Sequence, residues 1–114
     1  EWPYADCDTY IVTSNADFKF QTPRTSLLHA LDKNVVDQLK AKSKKDIWIV
    51  GGGRLISGFL DLEAIDEMTI TIIPTLLGDG IQLFPNNPKE TNFKLIEAKS
   101  FETGAVNLSY KRVN

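Results

Sequence analysis

Histidine, cysteine and methionine occur once each, as His29, Cys7 and Met68. A lone cysteine excludes an internal disulfide and suits a cytoplasmic protein. Beside a strand, Cys7 is read as a small buried hydrophobe. One cysteine and one histidine cannot build a zinc site of the usual kind, so no metal is expected. A Ser-His-Asp set would have to use His29, and no Gly-x-Ser-x-Gly stretch presents a serine to it. His29 is therefore read as a strand residue with one ring nitrogen satisfied. No apolar run approaches the ~20 residues of a membrane-spanning helix, and no signal peptide is visible. Thirteen basic residues against fifteen acidic ones give a net charge of -2. That balance offers no reason to expect nucleic acid or an anionic membrane as a partner. With Glu1 at the start and Met68 as the only methionine, an N-terminal part of the protein is expected to be missing.

What is present fits one ordinary globular domain over residues 1–114. The hydrophobic share is 42% and the charged share 25%, in the usual range for such domains. There are no repeats or low-complexity tracts. The centre of the chain is Asp46-Ile47-Trp48-Ile49-Val50-Gly51-Gly52-Gly53-Arg54-Leu55-Ile56. Ile47 to Val50 is an unbroken apolar run and predicts a strand buried on both faces. After the glycines, apolar residues at 55, 56, 59 and 60 predict a helix with one apolar face. Glycines at such a turn let a ligand approach the backbone. The helix's first N–H groups and its positive dipole end then suit a phosphate or pyrophosphate. The same glycines also suit a plain tight turn that packs helix on strand. Ile56 breaks the G-x-G-x-x-G dinucleotide fingerprint, and no Gly-Lys-Ser/Thr follows, so this is neither that motif nor a P-loop.

Around this centre, Thr9–Thr13 reads as a strand, closed by turn formers over 14–17. Residues 18–24 read as a loop and Ser26–Ala30 as a short strand. Asp32 is placed to cap a helix over Lys33–Ala41 with Val35, Val36 and Leu39 inward. Lys40, Lys42, Lys44 and Lys45 read as a solvated end of that helix. Met68–Ile73 reads as a second buried strand, ended by Pro74. Strand, helix and strand in that order predict a parallel βαβ unit. Residues 85–88 read as a loop. Phe93–Phe101 and Val106–Tyr110 predict a hairpin turning at 102–105, with Phe93, Leu95, Lys99 and Phe101 on one face. Asp61, Glu63, Asp66, Glu67 and Asp79 are read as helix-end, lead-in and turn residues, and no catalytic side chain stands out.

The run Ile47 to Leu55, with Phe59-Leu60 and the Thr69–Ile73 strand, resembles the cofactor half of dihydrofolate reductase. The run Ile73-Pro74-Thr75-Leu76-Leu77-Gly78-Asp79-Gly80-Ile81-Gln82-Leu83-Phe84 resembles the bacterial dihydrofolate-reductase-like proteins related to the reductase domain of riboflavin biosynthesis. The resemblance extends from about Thr9 to Arg112. It implies an α/β fold: a three-layer αβα sandwich with a mixed, mostly parallel central sheet and a C-terminal antiparallel hairpin. It also implies NADPH as cofactor, with hydride transfer to a pterin-like or ribosylamino-pyrimidine-like substrate. Hydride chemistry accords with the lack of catalytic side chains, because the cofactor supplies the reaction and the protein supplies position.

Matched residue by residue, Gly51, Gly52 and Gly53 would face the pyrophosphate, with a cis peptide between Gly51 and Gly52. Arg54, Leu55 and Ile56 would line the cofactor, with Arg54 offering charge for a 2′-phosphate and so a preference for NADPH over NADH. Thr13, Ser14 and Asn15 would lie near the adenosine 2′-phosphate. Val50 and Ile56 would flank the nicotinamide, and Thr71 would lie near the substrate. The early strand and helix, with the acidic residue that dihydrofolate reductase uses for the pterin, have no counterpart here, so the substrate stays open. The resemblance further implies a homodimer. The alternative is a non-catalytic nucleotide-binding or dimerisation module on the same fold.

Overall fold

The computed structural model describes residues 2–15, 17–86 and 88–113. Ala16, in the turn expected over 14–17, and Asn87, in the loop expected over 85–88, lie outside the described residues. The chain divides into two compact units, Glu1–Trp48 and Ile49–Asn114.

In the first unit, β1 (Thr9–Val12) and β2 (Thr25–Leu28) pair in parallel, with Thr9 opposite Thr25 and Val12 opposite Leu28. The Thr13 N–H continues the pairing to the Leu28 carbonyl at 2.9 Å. The loop between them is irregular, as Pro23 and the polar stretch before it predict. It ends at Arg24, whose φ is +52°. Arg24 is tied down there, its Nε 2.9 Å from Asp8 Oδ1 and its Nη1 donating to the Asp6 carbonyl at 2.8 Å. Helix α1 (Lys33–Lys42) starts as the sequence predicts, because Asp32 Oδ1 accepts from the Val35 N–H at 2.9 Å. Val36 is buried, while Val35 and Leu39 are half-buried. The unit also holds stacked edges of Trp2 on Tyr4 and Tyr4 on Trp48, with ring centres 5.1 and 5.7 Å apart. Cys7 is exposed, not buried: it lies in a turn, where the Cys7 N–H reaches back to the Tyr4 carbonyl, and not in β1.

In the second unit, helix α2 (Gly53–Asp61) precedes β3 (Glu67–Ile72), β4 (Asn92–Ser100) and β5 (Val106–Val113). The expectation of a strand over 47–50, a run that crosses the division between the units, fails. No ladder forms there among the described residues, and Trp48 and Val50 are 71% and 66% exposed. An apolar run becomes a strand only where a neighbour accepts its backbone bonds. The parallel βαβ unit fails with it. Instead β3 pairs antiparallel with β5, and β5 with β4, in the order β3-β5-β4. The described strands thus combine parallel pairing in the first unit with antiparallel pairing in the second.

Register explains which side chains share a face. Directly opposed residues point the same way, so Met68, Ile70 and Ile72 join Val106, Leu108 and Tyr110 on one face. A bulge between Leu95 and Glu97 shifts the phase of β4. It puts Phe93, Leu95 and Ala98 on that apolar face and moves Lys94, Glu97 and Lys99 to the other. Simple alternation had placed Lys99 with Phe93 and Leu95; the extra residue of the bulge reverses it. The polar face also carries cross-strand bonds, Thr69 to Ser109 at 3.2 Å and the Thr71 hydroxyl donating to Asn107 Oδ1 at 2.7 Å.

Helix α2 is held by residues 82–85 and by Lys89. Phe59, Leu60 and Ile65 form the buried apolar centre of the unit. Ser57, 2% exposed, donates its hydroxyl to the Pro85 carbonyl at 2.6 Å. Asp61 Oδ1 accepts from the Lys89 N–H at 2.8 Å. The helix then stops through Glu63 in the left-handed region, φ +54°, with its N–H on the Leu60 carbonyl, a regular helix ending. Ser57→Ala leaves the Pro85 carbonyl unpaired in a half-buried place. We expect it to lower the unfolding free energy by about 1–3 kcal/mol in urea titration.

Candidate functional site

The glycine turn belongs to the second unit. Gly52 is the residue before α2, and its carbonyl accepts from the Ile56 N–H at 3.1 Å. No side chain caps the helix, and its first turn holds no acidic residue. The first N–H groups of a helix have no partner within it, so here they offer donors to an anion. The Gly51–Gly52 peptide is cis, as the resemblance implies. Gly51 has φ +124°, a conformation that suits glycine alone.

The three glycines differ in what surrounds them. A Cβ placed on Gly51 or Gly52 meets nothing within 4 Å. One placed on Gly53 would sit 2.8 Å from the Leu83 carbonyl oxygen, 2.8 Å from Pro85 Cδ and 2.9 Å from the Gln82 carbonyl oxygen. The first two glycines therefore leave an open cradle, while the third exists for packing. Arg54 is exposed at the start of the helix, and Leu55 and Ile56 are half-buried. Val50 is exposed before the turn. Thr71 lies on the polar face of the sheet, and its hydroxyl is engaged by Asn107. Sequence reasoning missed Asn107. The signal was its place in the alternation of β5, opposite Thr71.

Thr13, Ser14 and Asn15 belong to the first unit, at the end of β1. Their turn is closed by its own groups. Thr13 Oγ1 accepts from the Asn15 N–H at 3.1 Å, and Asn15 Oδ1 accepts from the Asp17 N–H at 3.0 Å. The Asn15 carbonyl accepts from the Phe18 N–H. His29, just past β2, brings Nδ1 to 3.1 Å from the Thr13 carbonyl oxygen, which is the satisfied nitrogen that the sequence suggests. None of the residues singled out from the sequence lines the polar cleft of about 390 Å³ in this unit, which lies among Asp8, Tyr10, Thr22, Arg24, Thr25 and Ser26. Asp79 bonds locally to the Gly80 N–H at 2.8 Å, the turn role expected of it. Among the described residues no cluster of three or more metal-ligating side chains occurs, and no helix is long and apolar enough to cross a membrane.

Comparison with known proteins bears on the family and the fold. The family model of the RibD C-terminal domain matches residues 5–107. Two proteins of Bacillus subtilis (strain 168) are similar in sequence, both named as uncharacterized. YwjB is 36% identical over 111 residues, covering 97% of this chain and 63% of that protein. YyaP is 37% identical over 75 residues, covering 66% of this chain and 40% of that protein. The chain thus spans less than two thirds of the length of these relatives. Among solved structures, one provisionally assigned to riboflavin biosynthesis, from Shewanella sp. PV-4, superposes with a TM-score of 0.83 at 26% identity. It covers all of this chain and 64% of that one. RibD of Acinetobacter baumannii gives 0.62 at 25% identity over 79% of this chain and 27% of its own. A pyrimidine reductase-like protein of Corynebacterium diphtheriae gives 0.66 at 23% identity over 81% of this chain and 40% of its own; at that identity the likeness speaks for the fold.

Proposed function

The chain belongs to the RibD C-terminal domain family, with its dihydrofolate-reductase-like α/β fold, and from that premise we propose that it is an NADPH-dependent reductase. The family is of reductase type and linked to riboflavin biosynthesis. The observation that carries the proposal is the uncapped start of α2 behind the open Gly51-Gly52 backbone. A cradle that a Cβ would obstruct, faced by free helix N–H groups, fits a pyrophosphate.

In this reading Gly51, Gly52 and Gly53 hold the pyrophosphate with backbone donors, and Arg54 lines the cofactor from the start of α2 as a charge for a 2′-phosphate. Ile56 and Val50 flank the nicotinamide with apolar surface, which keeps water from the reacting atoms, and Leu55 lines the cofactor. The resemblance alone implies Thr13, Ser14 and Asn15 for the adenosine end and Thr71 for the substrate. Bound NADPH would supply the hydride, delivered to a C=N or similar bond of a pterin-like or ribosylamino-pyrimidine-like molecule. The proposal includes a cytoplasmic location, which the lone Cys7 suits.

The test is titration of the purified protein with NADPH and NADH, followed by NADPH oxidation with pyrimidine and pterin substrates. Tighter binding of NADPH and its oxidation with one substrate class are expected. Binding without oxidation by the protein at its full natural length would favour a nucleotide-binding module on the same fold. Absence of binding would overturn the proposal.

A homodimer is a separate part of the proposal. Leu95, Ile96 and Phe101 of the β4–β5 hairpin are exposed, more apolar surface than a free sheet edge tolerates well. Light scattering at micromolar concentration should report twice the chain mass, and a monomer would count against it.

A further inference from the structure

We infer that His29 selects the adenosine 2′-phosphate, through the imidazole nitrogen that the fold leaves free. The inference rests on the NADPH reading above and adds to it a residue that the resemblance does not assign.

Because β1 and β2 are parallel and in register, the Thr13–Asn15 turn and His29 leave the sheet at the same end, the C-terminal one. Ligands of open α/β sheets bind outside that end. The Thr13 carbonyl oxygen can only accept, so the His29 Nδ1 facing it at 3.1 Å carries a proton and donates. That bond fixes the ring against the end of β1. His29 is exposed, and Nε2 has no partner among the described residues.

The turn itself offers an anion little. Its Thr13 Oγ1 and Asn15 Oδ1 already accept from backbone N–H groups, which leaves the neutral hydroxyl and amide hydrogens as donors. Arg24 cannot assist, because Asp8 and the Asp6 carbonyl hold it at the opposite end of β2. At 3.2–3.4 Å per residue, the backbones of Arg24 and His29 lie about 16 Å apart. His29 brings to the Ser14 end a ring that donates from both nitrogens as the imidazolium. A charge-assisted bond of that kind is what a phosphate prefers.

The competing role is structural, a ring that only ties β2 to β1. His29→Asn separates the two, because its amide N–H can stand in for Nδ1 while nothing stands in for Nε2. Dissociation constants for NADPH and NADH are measured by calorimetry at mildly acidic pH for the wild type, His29→Ala and His29→Asn. Both variants should weaken NADPH binding about tenfold or more and leave NADH unchanged. A wild-type preference for NADPH that persists in His29→Asn overturns the inference alone. So does equal weakening of the two dinucleotides. A wild type that binds neither overturns the NADPH reading, and this inference with it.

Discussion

Gly53→Ala is expected to destabilise the Ile49–Asn114 unit by about 1–3 kcal/mol, the usual cost of overpacking. In the middle of a helix the same change would gain about 1 kcal/mol from propensity, so the sign must be decided by the surroundings. The new methyl carbon would stand 2.8–2.9 Å from the Leu83 and Gln82 carbonyl oxygens and the Pro85 ring. These are backbone and ring atoms, not the ends of flexible side chains. Relief requires the 82–85 segment to move, and the Ser57 to Pro85 bond at 2.6 Å resists that. For a domain of this size each kcal/mol lowers the melting temperature by roughly 4–8 °C. Thermal unfolding followed by circular dichroism reads the effect. A midpoint equal to or above that of the wild type would show that the segment at 82–85 is free to yield.

Gly52→Val should do the reverse, sparing the fold and removing cofactor affinity. Nothing lies within 4 Å of a Cβ at this position, and its φ of -84° is open to any residue. Valine is a poor residue to precede a helix, at a cost of up to about 1 kcal/mol, so the unfolding midpoint should move little. The branched side chain would occupy the space where a pyrophosphate meets the backbone. Charge-assisted bonds are each worth about 1.5–3 kcal/mol, so losing one should weaken NADPH roughly ten- to over a hundredfold. Gly52→Ser sharpens the test. A serine here can cap α2 and stabilise it by a few tenths of a kcal/mol, yet its hydroxyl competes for the same N–H groups. Stability should rise while affinity falls. Calorimetric titration of both variants with NADPH is the measurement, and unchanged affinity in either would remove the glycine turn from the site.

These two glycines mark the limit of what the chain discloses as text. Adjacent and chemically identical, they are told apart by the carbonyls of Gln82 and Leu83 and the ring of Pro85, some thirty residues downstream. Local features were legible because local forces decide them. Asp32 caps α1 through a bond to Val35, Pro74 follows the end of β3, and the glycine turn opens α2. The family was legible because the runs at 47–55 and 73–84 are specific in composition and spacing. Pairing was not. The 47–50 run has the residues of a buried strand and no ladder. The phase of β4 turns on one bulged residue at Ile96, and simple alternation read from the sequence cannot register such an insertion. His29 reads as an ordinary strand histidine until the parallel register sets it against the Thr13 carbonyl. Residue order alone settled where the helices start and which family this is, since propensity, capping and motif act over a few neighbouring residues. The tertiary structure alone decided which strands pair, which glycine is open and which polar groups meet, because those depend on backbone atoms brought together from distant parts of the chain.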